Sequence, residues 1–299
     1  MQKILIFGPG WLGYKYGDFF HGKDGYEANI WRTDIASRAD VAATLYHYKP
    51  SVVINTAGKT GRPNIDWCES HREETWRSNV EGPKNLAKLC AANGVYLVHL
   101  SSGCIFNGTS PDPDGWTEDD APNPVSYYCE TKVAGDDIVR KYPALILRIR
   151  MPVDKYPSER NLISKLARYP KIINVLNSVT VVDDLLDTTL KLIEARRTGI
   201  YNIVNEGPIT HQEIMSDYVR IVDPMHCYEL ISVEDLYEQG LVITGRSNCI
   251  LSTDKLKKRE VFNIVKAVNL LETIKKGNLS KGLLLKLHAS ILKNLDPEA

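Results

Sequence analysis

Lys3-Ile4-Leu5-Ile6-Phe7-Gly8-Pro9-Gly10-Trp11-Leu12-Gly13 joins a short apolar run to a glycine turn and then to a helical pattern reaching about Phe20. The run reads as a strand. Gly8, Gly10 and Gly13 keep the G-x-G-x-x-G spacing that lets backbone approach a pyrophosphate, with Trp11 and Leu12 completing the turn at the helix N-terminus. The same spacing also suits a tight strand-to-helix turn that binds nothing. Its place directly between a strand and a helix favours the dinucleotide reading.

Working outward, short apolar runs alternate with helical patterns for two hundred residues. Strands are expected at Asn29–Trp31, Ser51–Asn55, Tyr96–Ser101, Ala144–Arg148 and Ile200–Val204. Helices are expected at Asp40–Tyr48, Asp66–Ala92 (one or two), Val125–Lys141 and Val182–Arg197. Val52-Val53-Ile54 and Leu145-Ile146-Leu147 are apolar on both faces, which suits strands covered by helices on both sides. The expected fold class is therefore α/β, a Rossmann-type doubly wound parallel sheet. From Met151 the rhythm breaks, with Pro152, Pro157 and Pro170 in loops. Residues 1–150 plus 177–206 are assigned to the nucleotide-binding domain, and 151–176 plus 207–299 to a smaller C-terminal substrate-binding lobe. The last 35 residues read as helical, with 282–295 forming a packing or dimer helix in preference to a membrane-surface one.

Composition narrows the classes. The 299 residues carry 37 Lys+Arg against 37 Asp+Glu, so the basic footprint of a nucleic-acid binder is missing. Hydrophobic residues make up 43%, enough for a sizeable core. The early apolar run is too short for a signal peptide or a membrane span. Six cysteines without a Cys-x-x-Cys pair point to a reduced, cytoplasmic protein with no metal site. Most of them read as core filler.

Cofactor choice rests on the end of the second strand. Asp34 lies where an acidic residue would bind a ribose, and Ile35 follows it. Arg32 and Arg38 flank it and suit a 2′-phosphate. The balance leans to NADPH, with NADH as the alternative. Ala57, Gly58 and Lys59, after the third strand, are expected to line the ribose and nicotinamide.

The chemistry is expected one strand further on. Tyr128 and Lys132 are four apart and share a helix face, which also suits a solvated surface. They gain weight from Ser101-Ser102 at the end of a strand, where α/β sheets place their ligands. A phenol can protonate a ketone oxygen as hydride arrives, a neighbouring ammonium stabilises the phenolate, and a serine hydroxyl holds the same oxygen.

With these residues in place the chain resembles the extended short-chain dehydrogenase/reductases that act on nucleotide-sugar 4-ketones. Gly10-Trp11-Leu12-Gly13, Asn55-Thr56-Ala57-Gly58 and Ser78-Asn79-Val80 stand where that superfamily carries its motifs. The run from Thr60 to His71, TGRPNIDWCESH, is similar to a segment of the bifunctional nucleotide-rhamnose epimerase-reductases. Gly103-Cys104-Ile105-Phe106, Leu147–Pro152, Arg160–Lys165 and Arg246-Ser247-Asn248 extend the likeness over about residues 3–265. The glycine turn is one residue shorter than the family's, with Pro9 inside it.

The resemblance implies a substrate of the NDP-4-keto-6-deoxyglucose class, epimerised at C3 and C5 and reduced at C4 to an NDP-β-L-rhamnose. UDP is the first expectation for the nucleotide and dTDP the next. It implies that Cys104 and Lys165 are the acid/base pair, and that Ser102, Tyr128 and Lys132 steady the C4 oxygen in both reactions. Arg62, Asn64 and Asn161 are implied sugar or diphosphate contacts. Arg150 is left between a pyrophosphate contact and a buttress of the sheet. The other readings are a reductase alone, which needs neither Cys104 nor Lys165, and a cofactor-binding regulatory subunit, which has no need of Ser102, Tyr128 and Lys132 together. A homodimer is the default expectation for assembly.

Overall fold

The computed structural model describes residues 1–258. The helix expected over the last 35 residues lies outside them. The described chain divides into two compact units, one of Met1–Arg150, Leu185–Val204 and 242–258, the other of Met151–Asp184 and Asn205–Leu241.

The first unit is built on a six-stranded sheet. In chain order it runs β1 (Gln2–Phe7), α1 (Trp11–His21), β2 (Tyr26–Trp31), α2 (Arg38–Tyr48) and β3 (Val52–Asn55). Then come α3 (Trp67–Ser70), α4 (Arg72–Trp76), a π-turn (Arg77–Glu81), α5 (Gly82–Ala92), β4 (Tyr96–Ser102) and a 3-10 turn (Gly103–Ile105). It continues with α6 (Tyr127–Val139) and β5 (Ala144–Ile149). The strand order is β2-β1-β3-β4-β5-β9, where β9 is Gly199–Ile203, and every pairing is parallel. The order reverses between β1 and β3, so the loops after those strands open on the crevice where such sheets hold ligands.

Alternation along the strands explains the layers. Leu5 and Phe7 face one side with Val41, Leu45, Leu86 and Val139 from the covering helices, all buried. On α1, Tyr16 is fully buried and its hydroxyl meets Thr189 Oγ1 of α8 (Val182–Glu194) at 2.8 Å. Both faces of the central strands are thus shielded from water, as their continuous apolar runs require.

The helix expected over Asp66–Ala92 is broken. His71, at φ −122°, separates α3 from α4, and the π-turn then shifts the helix before Pro83 restarts it at the N-terminus of α5. Proline tolerates that first-turn position because no intrahelical N–H is needed there. α6 is shorter than expected, starting at Tyr127 because the Ser126 side chain caps it by accepting the Cys129 N–H at 3.3 Å.

The second unit is smaller. It carries β6 (Pro152–Val153), α7 (Leu162–Leu166), β7 (Lys171–Ile173), β8 (Thr180–Val181), α9 (His211–Ile221), β10 (Glu229–Ile231) and α10 (Val233–Glu238). Two small parallel pairs form, β6 with β8 and β7 with β10, and Val153, Val181 and Ile172 pack with Leu162, Leu166, Ile214 and Met215. A short helix, α11 (Asp254–Lys257), belongs to the first unit. No helix among the described residues is long and apolar enough to cross a membrane.

Candidate active site

The glycine turn is shaped by what it must clear. Gly8 has φ +98°, and a Cβ there would fall 2.5 Å from the Ala57 nitrogen. A Cβ on Gly13 would fall 2.0 Å from the Gly8 carbonyl oxygen, so these two glycines permit the close approach of β1, α1 and the loop after β3. Gly10 is different: a Cβ there meets nothing within 4 Å. It stands at the N-cap of α1, which has no side-chain cap. Open space before an uncapped helix N-terminus suits a phosphate. Thr56 stiffens the rim by donating its hydroxyl to the carbonyls of Phe7 at 2.9 Å and Gly8 at 2.8 Å.

At the end of β2, Arg32, Asp34 and Arg38 are exposed, while Ile35 is buried against α5. Asp34 pairs with Arg77 of the π-turn. Both side chains are more than half exposed, so the pair is worth at most about 1 kcal/mol and is easily exchanged for another anion. Ala57 is half-buried and Gly58 and Lys59 are exposed. Lys59 is held through its backbone by Asn79, which accepts its N–H at 2.8 Å and donates to its carbonyl at 2.9 Å. Asn79 also donates to Thr131 Oγ1 at 3.1 Å, tying the loop after β3 to the middle of α6. The sequence alone gives Ser78-Asn79-Val80 no role. The π-turn aims Asn79 at both partners.

Ser102, Cys104 and Tyr128 come together where β4 ends. The Ser102 oxygen accepts the Cys104 N–H at 3.1 Å, and Tyr128 hydrogen-bonds the same serine side chain. Tyr128 packs with Cys68 and Cys129, and Cys104 lies against that cluster, half-buried. Burial pushes the Tyr128 phenol above its ordinary value, the Cys104 sulfur adds to this, and the Ser102 hydrogen bond opposes it. The phenol therefore keeps its proton at neutral pH, as a proton donor must. Lys132, one turn along α6, is buried and donates to the Leu100 carbonyl at 3.1 Å. Burial pulls its ammonium down, and Asp136 and Cys104 pull it back up.

Behind the lysine lies a buried polar chain that sequence reading missed. Asn55 meets His99 Nδ1 at 2.9 Å, His99 Nε2 stands 4.0 Å from Asp136, and Asp136 accepts from Arg148 Nε at 3.4 Å. Burial holds the His99 imidazole well below 6.5, with the Lys132 ammonium acting in the same direction. The folded protein thus keeps His99 neutral where the unfolded chain protonates it. Stability from this group is complete above about pH 6.5 and is lost as pH falls below it. Asp136, raised by its own burial, acts in the opposite sense at lower pH. The Tm of the wild type is expected to fall between about pH 7.5 and 5.5, and His99→Gln is expected to flatten that fall. Equal falls in both proteins would contradict this reading.

Two acidic residues of the TGRPNIDWCESH run brace the site. Asp66 takes a two-pronged pair from Arg246 at 2.8 and 2.7 Å, 180 residues away. With both side chains 18% exposed, the pair is worth more than the Arg77–Asp34 contact, about 1.5–3 kcal/mol per charged hydrogen bond. Glu69 accepts the Tyr127 N–H and the Thr244 hydroxyl, each at 2.8 Å, and so satisfies the first turn of the helix that presents Tyr128. Arg62 is exposed, and the Asn64 side chain accepts the Asp66 N–H at 2.8 Å.

Arg150 is 1% exposed, donating to Cys104 Sγ at 3.1 Å and to the Ser247 carbonyl at 2.6 Å. Between the two roles left open for it, the buried one fits. In the second unit, Asn161 is also buried. It caps α7 by accepting the Ile163 N–H at 3.2 Å and donates to the carbonyls of Asp154 at 2.7 Å and Tyr156 at 2.9 Å. Its amide is thus engaged within the loop that leads to Lys165, which is half-buried on α7. Of the other cysteines, burial pushes Cys90 and Cys129 up to about 12, as expected of core thiols.

The model of the RmlD substrate binding domain family matches residues 2–260. A bifunctional dTDP-4-dehydrorhamnose 3,5-epimerase/dTDP-4-dehydrorhamnose reductase of Arabidopsis thaliana is 36% identical over 263 residues, 85% of this chain and 86% of that protein. A trifunctional UDP-glucose 4,6-dehydratase/UDP-4-keto-6-deoxy-D-glucose 3,5-epimerase/UDP-4-keto-L-rhamnose-reductase of the same plant is 35% identical over 86% of this chain, which spans 39% of that protein. Among solved structures, the L780 UDP-rhamnose synthase of Acanthamoeba polyphaga mimivirus superposes with a TM-score of 0.85 at 30% identity, covering 92% of this chain and 99% of that one.

Proposed function

The chain belongs to the RmlD substrate binding domain family, an extended short-chain dehydrogenase/reductase fold, and from that premise we propose that it is a bifunctional NDP-4-keto-6-deoxyglucose 3,5-epimerase/4-reductase. The observation that carries this reading is the meeting of Ser102, Cys104 and Tyr128 at the end of β4, with a guanidinium on the cysteine sulfur. A reductase alone requires the serine and tyrosine but gives no task to a half-buried thiol so placed.

The cofactor in this reading is NADPH, which supplies the hydride when bound. Gly8, Gly10, Trp11, Leu12 and Gly13 would hold its pyrophosphate at the uncapped start of α1. Arg32 and Arg38 suit a 2′-phosphate, and Asp34, already paired with Arg77, is no longer a bare negative charge in the way. Ala57, Gly58 and Lys59 line the approach to the nicotinamide.

Ser102 and Tyr128 grip the C4 ketone oxygen of the sugar. This acidifies the hydrogens at C3 and C5, because the charge left by removing either one is delocalised onto that oxygen. Cys104 takes the proton from carbon, and Lys165 is its partner in returning one to the opposite face. The same two hydroxyls then hold the oxygen during reduction, when Tyr128 gives it a proton and Lys132 steadies the phenolate. Asn161 supports the loop before Lys165, while Arg62 and Asn64 remain the diphosphate and sugar contacts. The nucleotide is UDP in the first instance and dTDP in the second.

Incubation with the UDP, dTDP and GDP forms of the 4-keto-6-deoxy sugar and NADPH, with products identified by mass spectrometry and NMR, tests the reading. An NDP-rhamnose formed fastest from the UDP sugar is expected. No turnover of any of the three would refute it.

A further inference from the structure

We propose that Arg150 is the positioning residue for Cys104: its buried guanidinium fixes the sulfur beside Ser102 and Tyr128 and favours the thiolate over the thiol. This deepens the acid/base reading of Cys104 and rests on it.

The geometry is specific. Arg150 follows the last residue of β5 and is the largest fully buried side chain among the described residues. One arm of its fork donates to Cys104 Sγ at 3.1 Å, and the other donates to the Ser247 carbonyl at 2.6 Å. Ser247 is anchored in turn, its hydroxyl donating to the Phe106 carbonyl at 2.5 Å. The backbone that carries the sulfur is held in the short turn Gly103–Ile105, with the Cys104 N–H on Ser102 Oγ at 3.1 Å. Neither end of the contact is left to a mobile surface group.

The chemistry follows from the charge. A guanidinium is protonated at every pH the protein meets, and with this much of it withdrawn from water its field is weakly screened. A thiol next to such a cation loses its proton more readily, and the thiolate is the form able to take a proton from carbon. Once Cys104 is protonated by C3 or C5 of the sugar, the cation no longer has an anion at 3.1 Å, which favours passing the proton on. Burial pushes up Cys68, Cys129 and Cys249, and for the last two Arg150 only partly offsets it.

The test uses the whole protein, iodoacetamide as the probe and mass spectrometry to locate the label. At pH 6.5, Cys104 of the wild type is expected to react at least about tenfold faster than the exposed Cys227, although Cys227 is the more accessible. Arg150→Gln is expected to slow Cys104 labelling about tenfold and to slow deuterium exchange at C3 and C5 of the sugar further than reduction of a pre-epimerised substrate. Arg150→Lys, which keeps the charge, is expected to recover part of both. Unchanged Cys104 labelling in Arg150→Gln overturns the proposal. Should that variant fail to fold, the wild type decides alone: Cys104 reacting no faster than Cys227, with the same pH dependence, overturns it too. Carbon exchange that survives Cys104→Ser speaks instead against the acid/base reading, so the two failures are distinguishable.

Discussion

Tyr128→Phe is expected to lower reduction of a 4-keto sugar by about 10²–10⁴-fold, the range that positioned general acids contribute. The ring remains to pack against Cys68 and Cys129, so the fold should be kept. What is lost is the hydroxyl that hydrogen-bonds Ser102 and carries the only proton this reading offers to the C4 oxygen. Burial, which holds that proton on the phenol at neutral pH, makes it unavailable from water by the same token. Single-turnover oxidation of NADPH, followed by absorbance, reads the effect directly. A variant that reduces at the normal rate would remove Tyr128 from the reaction.

Cys104→Ser is expected to slow epimerisation by a similar factor, about 10²–10⁴-fold, with a much smaller effect on reduction of a substrate already epimerised. A serine hydroxyl keeps the size and can accept from Arg150, but it does not ionise near neutral pH. The backbone N–H on Ser102 is unaffected by the change, so the oxygen-holding pair is retained. Comparing deuterium uptake at C3 and C5 with the reduction rate separates the steps. Equal losses in both would mark Cys104 as a packing residue of the cluster it adjoins.

Much of the architecture is readable from local pattern. The glycine spacing between strand and helix and the doubly apolar strands are signals that lie within a few residues. Ser102, Tyr128 and Lys132 are legible because one sits at a strand end and the others share a helix face. The places where the helix after Asp66 breaks are not legible, because neither His71 nor Arg77, where the π-turn starts, is a proline or glycine. Asp66 and Arg246 are 180 residues apart, and nothing in either neighbourhood announces a partner. The same holds for Arg150 and Cys104, and for the chain from Asn55 through His99 to Asp136. Such contacts are made by the fold, and a motif can at most indicate that something near them matters. Asn79 and the TGRPNIDWCESH run are examples: their motifs are visible, and their jobs emerge only when α6 and the loop after β3 are seen together.

The most direct measurement is incubation of the protein with UDP-4-keto-6-deoxyglucose and NADPH in D₂O, followed by NMR of the product. Deuterium at both C3 and C5 of a rhamnose product is the expected result, placing epimerisation and reduction in one chain. NADPH oxidation confined to pre-epimerised substrate, with no deuterium entering at either carbon, would contradict it.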